Sequence, residues 1–230
     1  MRIAVLSNSH AAALAYASRS RADGADLTFF AADGGRLHAL APDGAALVPQ
    51  NAALEAALKA SSGGLSRIDA GAFDAFVVYA LGFIVRPLGA EYSSAVRTAA
   101  LTDRFSGYLN AKLVALVREV TDKPILCAPT PLRAHQPALG DPAPQSLLAY
   151  DEMLEWTERH AVPAGVRVVG QPRETRDGGF WTKPAYNVDA PKLTAPGDEP
   201  KRWAARDVNH MNADFGALML ETFEGALSLH

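Results

Sequence analysis

The sequence predicts the α/β class: a doubly wound parallel five-stranded sheet with helices on both faces, stacked as a three-layer sandwich. Three observations carry that expectation. Five short apolar runs, at 3–6, 27–30, 73–82, 123–128 and 166–169, alternate with segments of helical period or high alanine content. The connections between successive runs are long enough for the crossovers that parallel pairing requires. The run at 73–82 is nearly apolar throughout, as suits a central parallel strand covered on both faces.

Taken in order, the strand at 3–6 leads into an alanine-rich helix at 11–22, with Gly24 as its stop signal. The strand at 27–30 ends in Ala31-Ala32-Asp33-Gly34-Gly35, a glycine turn that brings backbone N–H groups close to a ligand or simply turns the chain. Residues 36–48 predict a small hairpin insertion about Pro42-Asp43-Gly44, with His38 on its surface. Asn51 caps a helix over 52–60, closed by Ser61-Ser62-Gly63-Gly64.

Beyond the central strand, Asp103 is expected to cap one helix over 104–120, with Leu109, Leu113, Leu116, Val117 and Val120 as its apolar stripe. Pro129-Thr130-Pro131 stops the strand at 123–128, and the polar loop at 133–144 carries His135. That histidine has no carboxylate at useful spacing and reads as an exposed or substrate-edge residue. A helix at 146–161 precedes the last strand. Residues 170–203 read as one long proline-containing loop, whose Phe180, Trp181 and Tyr186 form either a wall beside a ligand or a packing or dimer contact. An amphipathic helix over 211–227 closes the fold.

Composition narrows the function. A chain of 230 residues suits one domain, and 49% hydrophobic and 20% charged residues with a formal net charge of -3 argue against general attraction to nucleic acid. The longest apolar region, 76–85, falls short of the roughly 20 residues a membrane helix needs. Cys127 is the one cysteine, read as a buried structural thiol, so no internal disulfide forms and a reducing compartment fits. The chain enters its first strand directly, without the features of a secretory signal, and the expected location is cytoplasmic. A homodimer remains open.

Two stretches carry chemistry. Ser9, in Leu6-Ser7-Asn8-Ser9-His10, lies where the first strand turns into the first helix. Strand carboxyl ends in such folds face a crevice, and a helix N-terminus offers free N–H groups there, so Ser9 is either a nucleophile or a plain helix cap. Asp207-Val208-Asn209-His210 places an acid three residues before a histidine, just ahead of the last helix. That spacing lets the carboxylate hold one imidazole nitrogen while the other faces a hydroxyl. His10 adjoins Ser9, but neighbours on an incipient helix point apart, which assigns it to lining or packing rather than base chemistry. The six histidines show no His-Glu-x-x-His spacing, and no Walker or dinucleotide glycine loop follows the first strand. Neither a metal nor a cofactor is expected.

Together these two ends resemble the SGNH (GDSL-type) hydrolases, whose first motif places a serine at the first strand-to-helix turn and whose last is Asp-x-x-His, in the order Ser, Asp, His. The resemblance spans nearly the whole chain. It implies a flavodoxin-like three-layer fold and a serine esterase or acyltransferase, with Ser9 as nucleophile, His210 as base and Asp207 as its orienting acid. It also implies an oxyanion N–H from Gly34 or Gly35, and O-acylated carbohydrate or another small ester as substrate. Asn8, His10, Gly82, Arg86 and Trp181 complete the expected oxyanion and substrate-binding set. One motif departs: Gly-x-Asn-Asp is replaced by Gly82-Phe83-Ile84-Val85. Loss of an oxyanion donor costs on the order of 100-fold to 1,000-fold in turnover unless another group, such as Arg86 or Asn110, substitutes. A catalytically weak or inactive SGNH-like binding protein is therefore the alternative expectation, and a small-anion site at the first helix N-terminus a third.

Overall fold

The computed structural model describes residues 1–33, 35–136, 148–194, 198–199 and 201–228. Its centre is an all-parallel sheet of five strands: β1 (Arg2–Ser7), β2 (Asp26–Ala31), β6 (Ala75–Tyr79), β7 (Ile125–Ala128) and β8 (Val166–Val168), in the order β2-β1-β6-β7-β8. Side chains alternate along each strand, so Ala4, Leu6, Phe76, Val78, Ile125 and Cys127 enter one core. Ile3, Val5, Ala75, Val77, Tyr79 and Leu126 enter the other.

Helices cover both cores. On one face α1 (Ala11–Arg19) lies beside α6 (Ala213–Ser228). On the other lie α2 (Ala52–Ser62), α3 (Ser94–Ser106), α4 (Leu109–Val120) and α5 (Tyr150–His160). The expected three-layer arrangement is therefore present. Since β1 feeds a helix on one face and β6 leads to helices on the other, the crevice at their carboxyl ends is a topological switch point, where open α/β sheets bind ligands.

Backbone approach on the α1–α6 face is unusually close. A Cβ on Gly216 would sit 2.1 Å from the Ala13 carbonyl oxygen, so only glycine lets α6 lie this near α1. Arg21, just beyond α1, and Glu224 on α6 close the far end with two hydrogen bonds of 3.2 and 2.7 Å. Burial raises the Glu224 carboxyl, but the Arg21 guanidinium and the Ala25 N–H outweigh it and hold the pKa below its usual value.

Several boundaries differ from the sequence expectation. The single helix over 104–120 is two helices. Ser93 caps α3 by accepting from the Val96 N–H, and Asp103 sits inside it; the chain breaks at Gly107-Tyr108 before α4 begins. The break suits two different jobs, because α3 packs on α5 while α4 packs on β6 and β7. The hairpin insertion starts later, with a 3-10 turn at Arg36–Ala39 followed by β3 (Leu40–Asp43) and β4 (Ala46–Pro49), to which β5 (Ile68–Asp69) adds a third strand. Asn51 caps α2 as expected, accepting from the Leu54 N–H at 2.9 Å.

The segment 170–203 is not a structureless loop. It holds the two-stranded pair β9 (Arg176–Asp177) and β10 (Trp181–Thr182) and 3-10 turns at Arg173–Thr175 and Pro184–Tyr186. Gln171 and Thr182 tie it to Leu132 through buried hydrogen bonds. Most of the polar loop after His135 lies outside the described residues. No described helix is long and apolar enough to cross a membrane.

Candidate active site

Ser9 follows β1 directly, and His210 precedes α6, so each is mounted at the entry to one of the two closely packed helices. Ser9 Oγ lies 2.9 Å from His210 Nε2. On the other side of the ring, His210 Nδ1 lies 3.1 Å from Asp207 Oδ1. The same carboxylate oxygen accepts the backbone N–H groups of Asn209 at 3.0 Å and His210 at 2.8 Å, which folds the Asp-x-x-His stretch into a tight turn. Burial raises the Asp207 carboxyl, but those N–H groups and the His210 ring prevail and hold its pKa below the usual value. An ionised carboxylate can only accept here, and a hydrogen bond from Nδ1 places the acceptor lone pair of a neutral ring on Nε2.

The His210 turn is braced from outside. Its carbonyl accepts from the Asn187 side chain at 2.6 Å, the Val208 carbonyl accepts from the Ala134 N–H at 2.8 Å, and Asn212 bonds the Tyr186 carbonyl. His10 stacks on His210 with ring centroids 4.7 Å apart, and Trp203 stacks on it at 3.8 Å with planes only 9° apart. Burial first, and then the neighbouring His210, push the His10 pKa down to about 3, so His10 is neutral and is no base. Trp203 is the site residue that sequence reasoning missed; only its aromatic character, next to the Asp-x-x-His motif, could have flagged it.

An open cleft of about 200 Å³ lies beside Ser9. Ala31, Ala32, Ala57, Ala60 and Leu193 give it an apolar lining, Ser61 and Thr194 add hydroxyls, and Asp33 and Arg36 bring one charge of each sign. Asn8 also lines it, yet its amide is committed elsewhere: Nδ2 donates to the Ala80 carbonyl at 2.6 Å and Oδ1 accepts the His10 N–H. Ala80 adopts a left-handed φ of 59°, a costly conformation for a residue with a Cβ, so Asn8 clamps a strained turn across the switch point.

The remaining expected site residues distribute unevenly. Gly34 lies outside the described residues. Gly35 has a φ of 74° and starts the 3-10 turn that carries Arg36 to the cleft. Gly82 sits in the turn after β6 at a φ of 90° and is not part of the cleft lining. Arg86 is not brought to Ser9; it lines a separate groove with Tyr108, Arg104 and Met153. Asn110 is fully buried, accepting the Phe83 N–H and donating toward the Val78 and Ala128 carbonyls, so it anchors the β6 and β7 ends rather than an oxyanion. Trp181 stacks on His135, away from the cleft lining. The Ser9 N–H has no backbone partner among the described residues.

Cys127 is buried and its thiol is pushed up to about 12, chiefly by burial, so it is chemically inert. Among the described residues, no group of three or more His, Cys, Asp or Glu side chains is arranged to hold a metal ion. No family model matches this sequence, and no curated protein matches it.

Proposed function

We propose that this protein is a serine hydrolase of the SGNH type, acting on ester bonds as an esterase or acyltransferase. The observation that carries the reading is the unbroken line Ser9 Oγ, His210 Nε2, His210 Nδ1, Asp207 Oδ1, with contacts of 2.9 and 3.1 Å. Such a line is what general-base activation of a hydroxyl requires.

In the reaction, the Ser9 oxygen attacks the ester carbonyl while its proton passes to His210 Nε2. Asp207 holds the ring tautomer and offsets the charge of the imidazolium. The Ser9 N–H stabilises the oxyanion, joined by the N–H of Gly34 or Gly35 that the SGNH resemblance implies. His210 returns the proton to the departing alcohol, leaving an acyl group on Ser9. Water or an acceptor hydroxyl, giving its proton to His210, then attacks the acyl carbon, and as the bond to Ser9 breaks His210 hands that proton to the Ser9 oxygen. The mixed apolar and polar lining of the cleft suits a small acyl group on a polar alcohol, and O-acylated carbohydrate is the substrate class we favour. A cytoplasmic location belongs to the same proposal.

The sequestered amides of Asn8 and Asn110 favour a second reading, a catalytically weak SGNH-like binding protein, because no side-chain amide is free for the oxyanion at these positions. The test is hydrolysis of a short activated ester by the unmodified protein beside Ser9→Ala and His210→Ala, with intact-mass detection of an organophosphonate adduct. Turnover and a single adduct, both lost in Ser9→Ala, support the hydrolase. An unlabelled protein without turnover leaves the binding reading.

A further inference from the structure

The two hydrogen bonds of His210 lie along the edge of its ring and fix the line joining Nδ1 to Nε2. They touch neither face of the ring, whose roll about that line is set by its Cβ–Cγ bond together with contacts on the two faces. Trp203 at 3.8 Å fills one face, so His10, also stacked on the ring at 4.7 Å, takes the other.

The backbone that carries the indole is tied down. The backbone N–H of Trp203 donates to the Ala190 carbonyl at 2.9 Å, that of Lys192 donates to the Lys201 carbonyl at 2.8 Å, and Pro191 bridges Arg202. Lys192 Nζ lies 4.8 Å from the indole centroid. The arm that carries Trp203 also supplies Leu193 and Thr194 to the cleft wall, whereas Trp203 itself is not part of the cleft lining. The charged and titratable groups around the ring are therefore Asp207 at its edge, His10 against one face, and Lys192 beyond the indole.

We propose that Trp203 is a positioning residue for His210: its indole face, with His10 opposite, sets the roll of the imidazole so that Nε2 meets the Ser9 hydroxyl. This inference rests on the serine-hydrolase reading. When the Ser9 O–H bond breaks and the Nε2–H bond forms, the resulting imidazolium faces the electron-rich indole, which favours the charged ring over the neutral one. Trp203 thus acts on the proton-transfer step and not on substrate capture.

The experiment compares the unmodified protein with Trp203→Leu and Trp203→Phe, measuring kcat per phosphonate-titrated Ser9, KM, the rate of labelling and the melting temperature. Trp203→Leu is expected to lose on the order of tenfold in kcat per titrated site, with KM within about twofold and labelling slowed in parallel. Trp203→Phe, which restores a flat face, is expected to recover most of that loss. Trp203→Met is read in the same way should the leucine variant not accumulate folded. A lower melting temperature with kcat per site unchanged would overturn the proposal, as would a phenylalanine variant no better than leucine, or a loss carried by KM. Failure of the unmodified protein to label or turn over is a separate result, rejecting the hydrolase reading and this inference with it.

Discussion

Among the described residues two histidine–aspartate pairs are found, each with a tryptophan stacked on the imidazole, and they differ in what surrounds them. His135 Nδ1 lies 2.7 Å from Asp177 Oδ2 and stacks on Trp181 at 5.8 Å. His210 lies 3.1 Å from Asp207 and stacks on Trp203 at 3.8 Å. The His135 pair has the shorter contact, yet its side chains keep 24% and 45% of their exposure, against 11% and 17% for His210 and Asp207. No serine, threonine or cysteine side chain bonds His135 among the described residues, whereas His210 faces Ser9. A close carboxylate is thus not what singles out the proposed base. Among the described residues, only His210 combines screening from water, a second ring face held in place and a hydroxyl on the other nitrogen.

The sharpest way to break this contrast is to delete each imidazole. Ester turnover is expected to fall at least about 1,000-fold in His210→Ala and to stay within about threefold in His135→Ala. Equal losses in the two variants would make the exposed pair part of the chemistry. The carboxylates follow. Asp207→Asn should lose on the order of 1,000-fold in kcat by leaving the ring in the wrong tautomer, while Asp177→Asn should change little because an exposed pair contributes weakly.

A third comparison leaves both pairs intact and moves the helices. Gly216→Ala forces a methyl group against the Ala13 carbonyl and should cost about 1–3 kcal/mol in denaturant unfolding. It should also lower turnover by separating Ser9 from His210, with no change at the His135 pair in histidine NMR spectra. The smallest effect belongs to Glu224→Gln, about 1 kcal/mol, discounted because both partners are partly exposed. The Glu224 pKa is lowered by folding, so its stabilisation is complete above the usual glutamate value of 4.5 and fades as pH falls through the folded value. Melting curves of the two proteins should therefore converge in acid.

The sheet was legible in the sequence because each buried strand is a short apolar run, and β1, β2, β6, β7 and β8 all begin within about two residues of their expected places. The break between α3 and α4 was not, because the apolar stripe of α4 continues the helical period backward through Gly107. Ser9, Asp207 and His210 were legible as chemical types at telling positions. The partners of His135 and His210 were not: Asp177 lies 42 residues from His135 and belongs to β9, and Trp203 is held where it meets His210 by the pairing of residues 201–203 with 190–192. Spacing along the chain reports contacts within a turn of helix or loop and is silent about those made by returning segments. Arg86 and Asn110 were misplaced for the same reason, since nothing local states which groove an arginine enters or that an asparagine is spent on backbone carbonyls.

Ser9 and His210 are separated by 201 positions, and the contact between α1 and α6 at Gly216 is what joins them. Contacts of such long range are the slow ones in folding, because the intervening chain must be ordered before they form. As the proposed nucleophile, Ser9 is therefore idle in every partly folded species that has not yet docked α6, so a loose, newly collapsed chain would pose no esterase hazard to its surroundings. Recovery of turnover during refolding accordingly times the arrival of one helix, where circular dichroism would only count helical residues.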